Sequence, residues 1–457
     1  MPRQVAITGL GAVSSLGVGF PALWNGLLAG TSALGPITRF DASGFHCRLA
    51  GEVKDFSAKD HVPKHYRKAV KIMARDIELA VAAAKEAAED AGLITRANLP
   101  EGGTGETTFL SERFGCHIGA ALIAADTQEL TMAMATAVRA GTGGDPAMGN
   151  FSLKAWGTED GGEEGMNNLT PLWLLKYLPN MLASHVTIIH GAEGPSNTIT
   201  CNEASGLLSI SESLRVIQRG AADICFSGGA ESNVNFMRLI RLELAGRLAL
   251  TGDVVDGSTI VRPYDEDSRG SLSGEAAGII MVEALQTAQS RGGRIYALIS
   301  GIGAAHSPPP SIPPFKTPLR TKDEGLQFAV EAALADAGVN PADIDAIVPR
   351  ATGTPDLDIP EAVALEQVFG SRLSQVPIIT IAPNIRDALS GQGGLAAAIG
   401  ARAIHSQMLP ARIHGGNPRN GIMAVQCQAR QANLRHILVC TGSTGGQNAA
   451  IILSRSE

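Results

Sequence analysis

The chain has 457 residues, 44% of them apolar and 18% charged, with a net charge of −7 and a pI near 5.8. These values allow a large buried core and more than one domain, and they exclude global disorder. They provide neither the basic footprint of a nucleic-acid binder nor a polybasic arm for a membrane surface.

Residues 1–8 run directly into a strand-like segment, so no signal peptide is expected. No apolar stretch reaches the ~18 residues of a spanning helix, so no membrane span is expected. Cys47, Cys116, Cys201, Cys225, Cys427 and Cys440 show no paired spacing, which fits reduced thiols in a cytoplasmic protein. The glycine-rich stretch 9–17 after the first strand lacks dinucleotide-binding spacing. Residues 64–92 are predicted as one long amphipathic helix, while 98–110 and 140–170 have the composition of surface insertions. A helical pattern over 172–186 precedes a strand at 198–200, a helix over 207–220 and a strand at 223–226.

The second part repeats this alternation. Strands are predicted at 278–282 and 297–302, then a helix over 325–338, a strand at 346–348 and a helix over 359–369. A strand at 378–380, a helix over 393–405 and strands at 437–439 and 449–453 follow. Short Gly-bounded apolar runs alternating with helices predict an α/β protein. Two βαβ-rich halves, 1–255 and 256–457, suggest an internally duplicated fold. The histidines His46, His117, His185, His190 and His306 have no metal-ligand spacing, so neither metal nor cofactor is expected. The stretch Ser307-Pro308-Pro309-Pro310 reads as a rigid loop.

Several ordered motifs run nearly end to end. They begin with Val5-Ala6-Ile7-Thr8-Gly9-Leu10-Gly11 and continue through Pro179-Asn180-Met181, Gly194-Pro195-Ser196 and Ser227-Gly228-Gly229-Ala230-Glu231. Arg262-Pro263-Tyr264-Asp265, Gly274-Glu275-Ala276-Ala277-Gly278 and Thr352-Gly353-Thr354-Pro355 with Asp358 and Glu361 follow, and Gly445-Gly446-Gln447-Asn448-Ala449 comes last. Together they resemble the elongating β-ketoacyl-acyl-carrier-protein synthases of the thiolase superfamily. The resemblance implies a thiolase fold, with two similar halves in a five-layer αβαβα arrangement, and a dimer.

That family attacks its acyl thioester with a cysteine, helped by two histidines, because an activated thiolate needs such partners. Counted from Gly194-Pro195 and from Ser205-Gly206, the cysteine position falls on Glu203. The histidine positions fall on Arg350 and Asp387, the associated lysine on Ala382, and the aromatic gate on Ser443, Thr444 and Gly445. Cys201 lies two residues too early to take the nucleophile's place. A carboxylate cannot form the acyl thioester. A minus–plus–minus array of Glu203, Arg350 and Asp387 is therefore expected to plug the old cavity.

The resemblance extends to chain-length factors, the inactive partners of polyketide synthases, through Ser390-Gly391-Gln392-Gly393-Gly394-Leu395. It implies a homodimer, or a heterodimer with an active ketosynthase, and an acyl carrier protein docked on Lys64, Arg67 and Lys68. Two alternatives stay open: a decarboxylase or acyltransferase acting on acyl-carrier or acyl-CoA substrates through Glu203, and a homodimeric acyl-chain binder.

Overall fold

The computed structural model describes residues 2–100, 105–139, 150–153, 156, 169, 172–307, 321–386, 388–415, 418, 422 and 428–456. In chain order the main elements are β1 (Val5–Ser14), α1 (Phe20–Ala29), α2 (Arg75–Asp90), β2 (Phe114–Gly119) and α3 (Thr127–Ala135). Then come α4 (Met181–His190), β3 (Ser196–Ile199), α5 (Ser205–Gln218), β4 (Ile224–Ser232), α6 (Phe236–Leu244), β5 (Ser273–Ala284), β6 (Ala297–His306) and α7 (Glu324–Ala337). The chain ends with β7 (Ala346–Val348), α8 (Pro355–Phe369), α9 (Ala382–Ile385), α10 (Gln392–Ser406), β8 (His436–Gly442) and β9 (Gln447–Ser454).

One continuous sheet carries these strands in the order β7-β8-β9-β6-β1-β5-β4-β2-β3. Outward from β1, the pairings to β5 and β4 are antiparallel and those to β2 and β3 parallel. Outward from β6 the pattern repeats: β9 and β8 antiparallel, β7 parallel, then a parallel bridge from Ile347 to Ile378. The predicted strand at 378–380 is therefore reduced to one bridge, in the place β3 takes in the first set. The first set runs from Val5 to Ala284, the second from Ala297 to Ser454.

Close packing repeats as well. Gly9 and Gly11 of β1 lie so near the backbone of Ala87 and Ala83 in α2 that a side chain would collide there. Gly301 and Gly303 of β6 meet Ala333 and Ala329 of α7 in the same way. Both strands shift register at this point, between Ile7 and Gly9 and between Ile299 and Gly301. Alanine-faced helices against glycine-bearing strands thus sit at matching places in both halves.

Three apolar clusters mark the layers. One, with Leu207, Leu395 and Ile399, buries α5 and α10 between the two wings of the sheet. A second packs α2 and α4 on the outside of the first wing, and a third packs α7 and α8 on the second. The order helix, sheet, helix, sheet, helix is the αβαβα arrangement expected. The strands read as near-continuous apolar runs because both their faces are covered.

The helix expected over 64–92 is broken. Lys64–Ile72 is a 3₁₀ helix, Met73 and Ala74 are extended (φ −102°, ψ 132° and φ −77°, ψ 164°), and α2 begins at Arg75. The helical pattern at 172–186 resolves into a turn, a 3₁₀ segment at Leu175–Tyr177, and α4 from Met181. Most of the predicted insertion 140–170, all but Ser307 of the 307–310 stretch, and Cys427 lie outside the described residues.

Candidate functional site

The turn between β3 and α5 builds the centre. Asn202 adopts a left-handed conformation (φ 48°), which asparagine tolerates better than most residues. The 3₁₀ turn Asn202–Ala204 then feeds α5, and the Cys201 N–H donates to Ser205 Oγ at 2.8 Å. Glu203 is only 3% exposed at this helix entry, where a carboxylate complements the helix dipole. Its Oε2 accepts the Thr444 N–H at 3.1 Å, and its Oε1 lies 3.6 Å from Arg247 Nη1.

Arg350 follows β7. Glu361, from α8, clamps its loop by accepting the Arg350 N–H at 2.9 Å, the Ala351 N–H at 3.0 Å and the Tyr264 hydroxyl at 2.6 Å. Asp358 accepts the N–H and hydroxyl of Thr352 and the N–H of Gly353, each at 2.9 Å, as well as the Tyr264 N–H. Burial, then the neighbouring Glu361, push the Asp358 carboxyl up to about 7. The Arg350 guanidinium, 3% exposed, donates to the Gly442 carbonyl at the end of β8.

Glu203 and Arg350 therefore meet the same hairpin, through Thr444 and Gly442. The hairpin is ordered from within. Ser443 Oγ donates to Gln447 Oε1 at 2.6 Å and accepts the Gly445 and Gln447 N–H groups, both at 3.1 Å. Gly446 (φ 91°) packs too close to the Ser307 carbonyl for any side chain. Ser390 closes the floor: its N–H and hydroxyl bind Glu231 Oε2 at 2.9 and 2.7 Å, and its hydroxyl reaches the Asn202 carbonyl at 3.3 Å. Arg238 pairs with the same Glu231.

A cation outside the expected array also lies beside Glu203: Arg247, from the loop after α6. Arg247 carries no motif signal, so only folding shows its role. Asp387 lies outside the described residues. Its neighbour Arg386 has φ 74° and donates to the Leu272 carbonyl. Ala382 is fully buried. Burial pushes the Cys201 thiol up, the opposite of activation.

Lys64, Arg67 and Lys68 are exposed on the 3₁₀ helix rather than on an α-helix. With three residues per turn, Lys64 and Arg67 share one ridge and His65, Lys68 and Lys71 the next. Tyr66 and Ala69, on the third, pack inward, and the Tyr66 hydroxyl meets His185 Nδ1 at 2.8 Å. The break at Met73-Ala74 thus turns a basic run into two adjacent basic ridges. Among the described residues no His, Cys, Asp and Glu group could hold a metal, and no helix is long and apolar enough to cross a membrane.

Comparison with known proteins agrees with this architecture. The chain matches the β-ketoacyl synthase N-terminal domain over residues 2–288 and the C-terminal domain over 296–416. It is similar to 3-oxoacyl-(acyl-carrier-protein) synthase 2 of Staphylococcus aureus (strain COL), 28% identical over 461 residues, covering 100% of this chain and 99% of that relative. The protein of the same name from Synechocystis sp. is 29% identical over 421 residues, 91% of this chain and 89% of its own. Among solved structures, the ishigamide ketosynthase/chain length factor superposes with a TM-score of 0.78 at 26% identity, covering 100% of both chains. A type II PKS acyl-carrier protein in complex with its ketosynthase bound to the hexaketide gives 0.80 at 20% identity, again over 100% of both chains, which bears on the fold alone. The layered α/β architecture is the thiolase-like ketosynthase fold, and the chain belongs to the β-ketoacyl synthase family.

Proposed function

We propose that this chain is a catalytically impaired β-ketoacyl synthase homologue that partners an active 3-oxoacyl-acyl-carrier-protein synthase in fatty-acid or polyketide-type biosynthesis, as a chain-length factor does. The observation that carries this reading is Glu203: a buried carboxylate at the entry to α5, tied to the gate hairpin by Thr444 and flanked by Arg247. In this reading Glu203, Arg350 and Asp387 stand at the positions of the family's cysteine and two histidines. Glu203 fills the space an acylated nucleophile needs, and no imidazole is left to stabilise developing negative charge.

A partner subunit is supported by the sheet edge. Among the described residues β3 pairs with β2 on one side only, and an unpaired edge invites a second chain. Large apolar side chains lie exposed on segments outside the layered core, including Leu122 (57%), Met132 (53%), Leu172 (64%) and Leu174 (58%). Such a surface fits a macromolecular partner. The paired basic ridges of Lys64, Arg67 and Lys68 suit an acidic carrier protein through steering contacts.

Intact-mass analysis after incubation with acyl- and malonyl-carrier proteins tests the proposal, alongside co-purification with a cysteine-bearing synthase. No covalent adduct, no loss of carbon dioxide and a stable heterodimer are expected. An acyl adduct, or decarboxylation abolished by Glu203→Gln, would instead establish the enzyme reading.

A further inference from the structure

A second recess, of about 510 Å³, lies at the opposite end of α10 from the Ser390 floor. The fifteen residues of α10 put the two roughly 20 Å apart at ~1.5 Å per residue. Its walls come from α1, the last turn of α2, the last turn of α10 and the segment just before β6.

The α2 wall is acidic. Glu86, Glu89 and Asp90 crowd the last turn, which holds no basic residue, so three carboxylates add to the negative end of the helix dipole. Lys85 offsets only part of this charge: it lies 2.7 Å from Glu89 but 3.9 Å from Glu86. Burial raises the Glu86 carboxyl, as does its crowding by Glu89 and Asp90. Asp90, by contrast, is locked in place. Its Oδ2 accepts the Leu10 N–H at 2.9 Å, and its Oδ1 accepts from the Tyr296 hydroxyl and Arg294, each at 3.0 Å.

The α10 wall carries the Arg402 cation, beside a His405 imidazole that burial and Arg402 keep towards its neutral form. Among the described residues no carboxylate lies within 4 Å of the Arg402 guanidinium, so Arg402 and Glu86 both line the recess without pairing to each other. Between the charged walls the lining is aromatic. Phe20 and Trp24 stack at 6.4 Å and 17°, and Tyr296 meets the His405 ring at 5.0 Å.

A plain cation would be repelled by Arg402 and a plain anion by Glu86. A molecule carrying both charges on an apolar body satisfies both walls at once, and the volume falls in the range of small-ligand sites. We propose that this recess binds an aromatic amino acid, with its ammonium against Glu86, its carboxylate against Arg402 and its ring against Phe20 and Trp24. The site is separate from Glu203 and does not depend on what the chain does there.

Calorimetric titration of the full chain with L-phenylalanine tests the proposal. Its arms are 2-phenylethylamine, which lacks the carboxylate, and 3-phenylpropionate, which lacks the ammonium. Saturable L-phenylalanine binding is expected, weakened about tenfold by Glu86→Gln and by Arg402→Gln, the loss typical of one charged contact. The amine should be indifferent to Arg402→Gln and the acid to Glu86→Gln. Unchanged thermal unfolding of both variants checks the fold, with Arg402→Lys as a milder second variant. No saturable binding up to about 10 mM, a Kd above the millimolar range of a weak two-charge contact, would overturn the proposal. So would equal affinity for all three compounds, or L-phenylalanine binding that neither substitution weakens.

Discussion

Glu361 and Glu203 are both buried carboxylates at the site, and they are held in opposite ways. Glu361 accepts three short hydrogen bonds, two of them from the backbone that carries Arg350. Glu203 accepts one N–H at 3.1 Å and faces Arg247 at 3.6 Å, beyond hydrogen-bond reach. Glu361 belongs to the framework that shapes the loops, together with Asp358 and Glu231. Glu203 belongs to what the framework surrounds. A position with so few partners can change its residue without unfolding the scaffold. The framework carboxylates fix the loops, and Glu203 sits among them with looser ties.

The sharpest test of this contrast is Glu361→Ala. It strands the Tyr264 hydroxyl and two buried N–H groups, and a loss of about 3–5 kcal/mol is expected. Denaturant unfolding measures it, and a loss no larger than that of Glu203→Ala would erase the distinction between framework and centre.

Acid titration probes the framework more gradually. Burial lowers His117 and His185 to about 4 and His190 to about 3. In the unfolded chain each takes up a proton below about 6.5. Between those values the unfolded state binds more protons, so stability falls as pH drops from about 6.5 towards 4. The slope is up to about 1.4 kcal/mol per pH unit for each histidine. His190→Gln should flatten that acid limb in unfolding curves recorded across the window. A slope left unchanged would place the acid sensitivity elsewhere.

The framework was legible before folding because its signals are local. The strand at the N-terminus and the helix ending near Ala91 are marked by their own composition, and Thr352-Gly353-Thr354 with Asp358 and Glu361 forms a short-range hydrogen-bonding unit. The centre was legible only where a motif anchored it, as Gly194-Pro195 and Ser205-Gly206 anchor Glu203. Arg247 escaped because its loop has no motif and only tertiary packing brings it to Glu203. The break in the basic helix escaped for a different reason. Met73-Ala74 contains neither proline nor glycine, and its extended backbone is set by packing rather than by propensity.

Smaller effects are expected at the centre itself. Glu203→Gln should cost no more than about 1 kcal/mol, since one N–H contact and a loose ion pair are altered. Its clearer signature is local: the Thr444 amide should exchange faster with solvent while amides in β8 and β9 keep their protection. Exchange spreading through both strands would move Glu203 into the framework class.

The smallest expected change is the most informative. Glu203→Cys supplies a thiol at the elbow, but under the proposed reading Arg350 and Asp387 stand where histidines are needed. A thiol gains nucleophilic power from a neighbouring base or a lowered pKa, and an enolate needs placed donors. The variant should fold, react with a small alkylating reagent and yet form no acyl adduct with an acyl-carrier thioester. Adding histidines at 350 and 387 to the same variant should be required before any adduct is seen by intact mass. Acylation of the single variant would mean that the framework alone, with its helix entry and hairpin N–H groups, suffices to activate a nucleophile at this position.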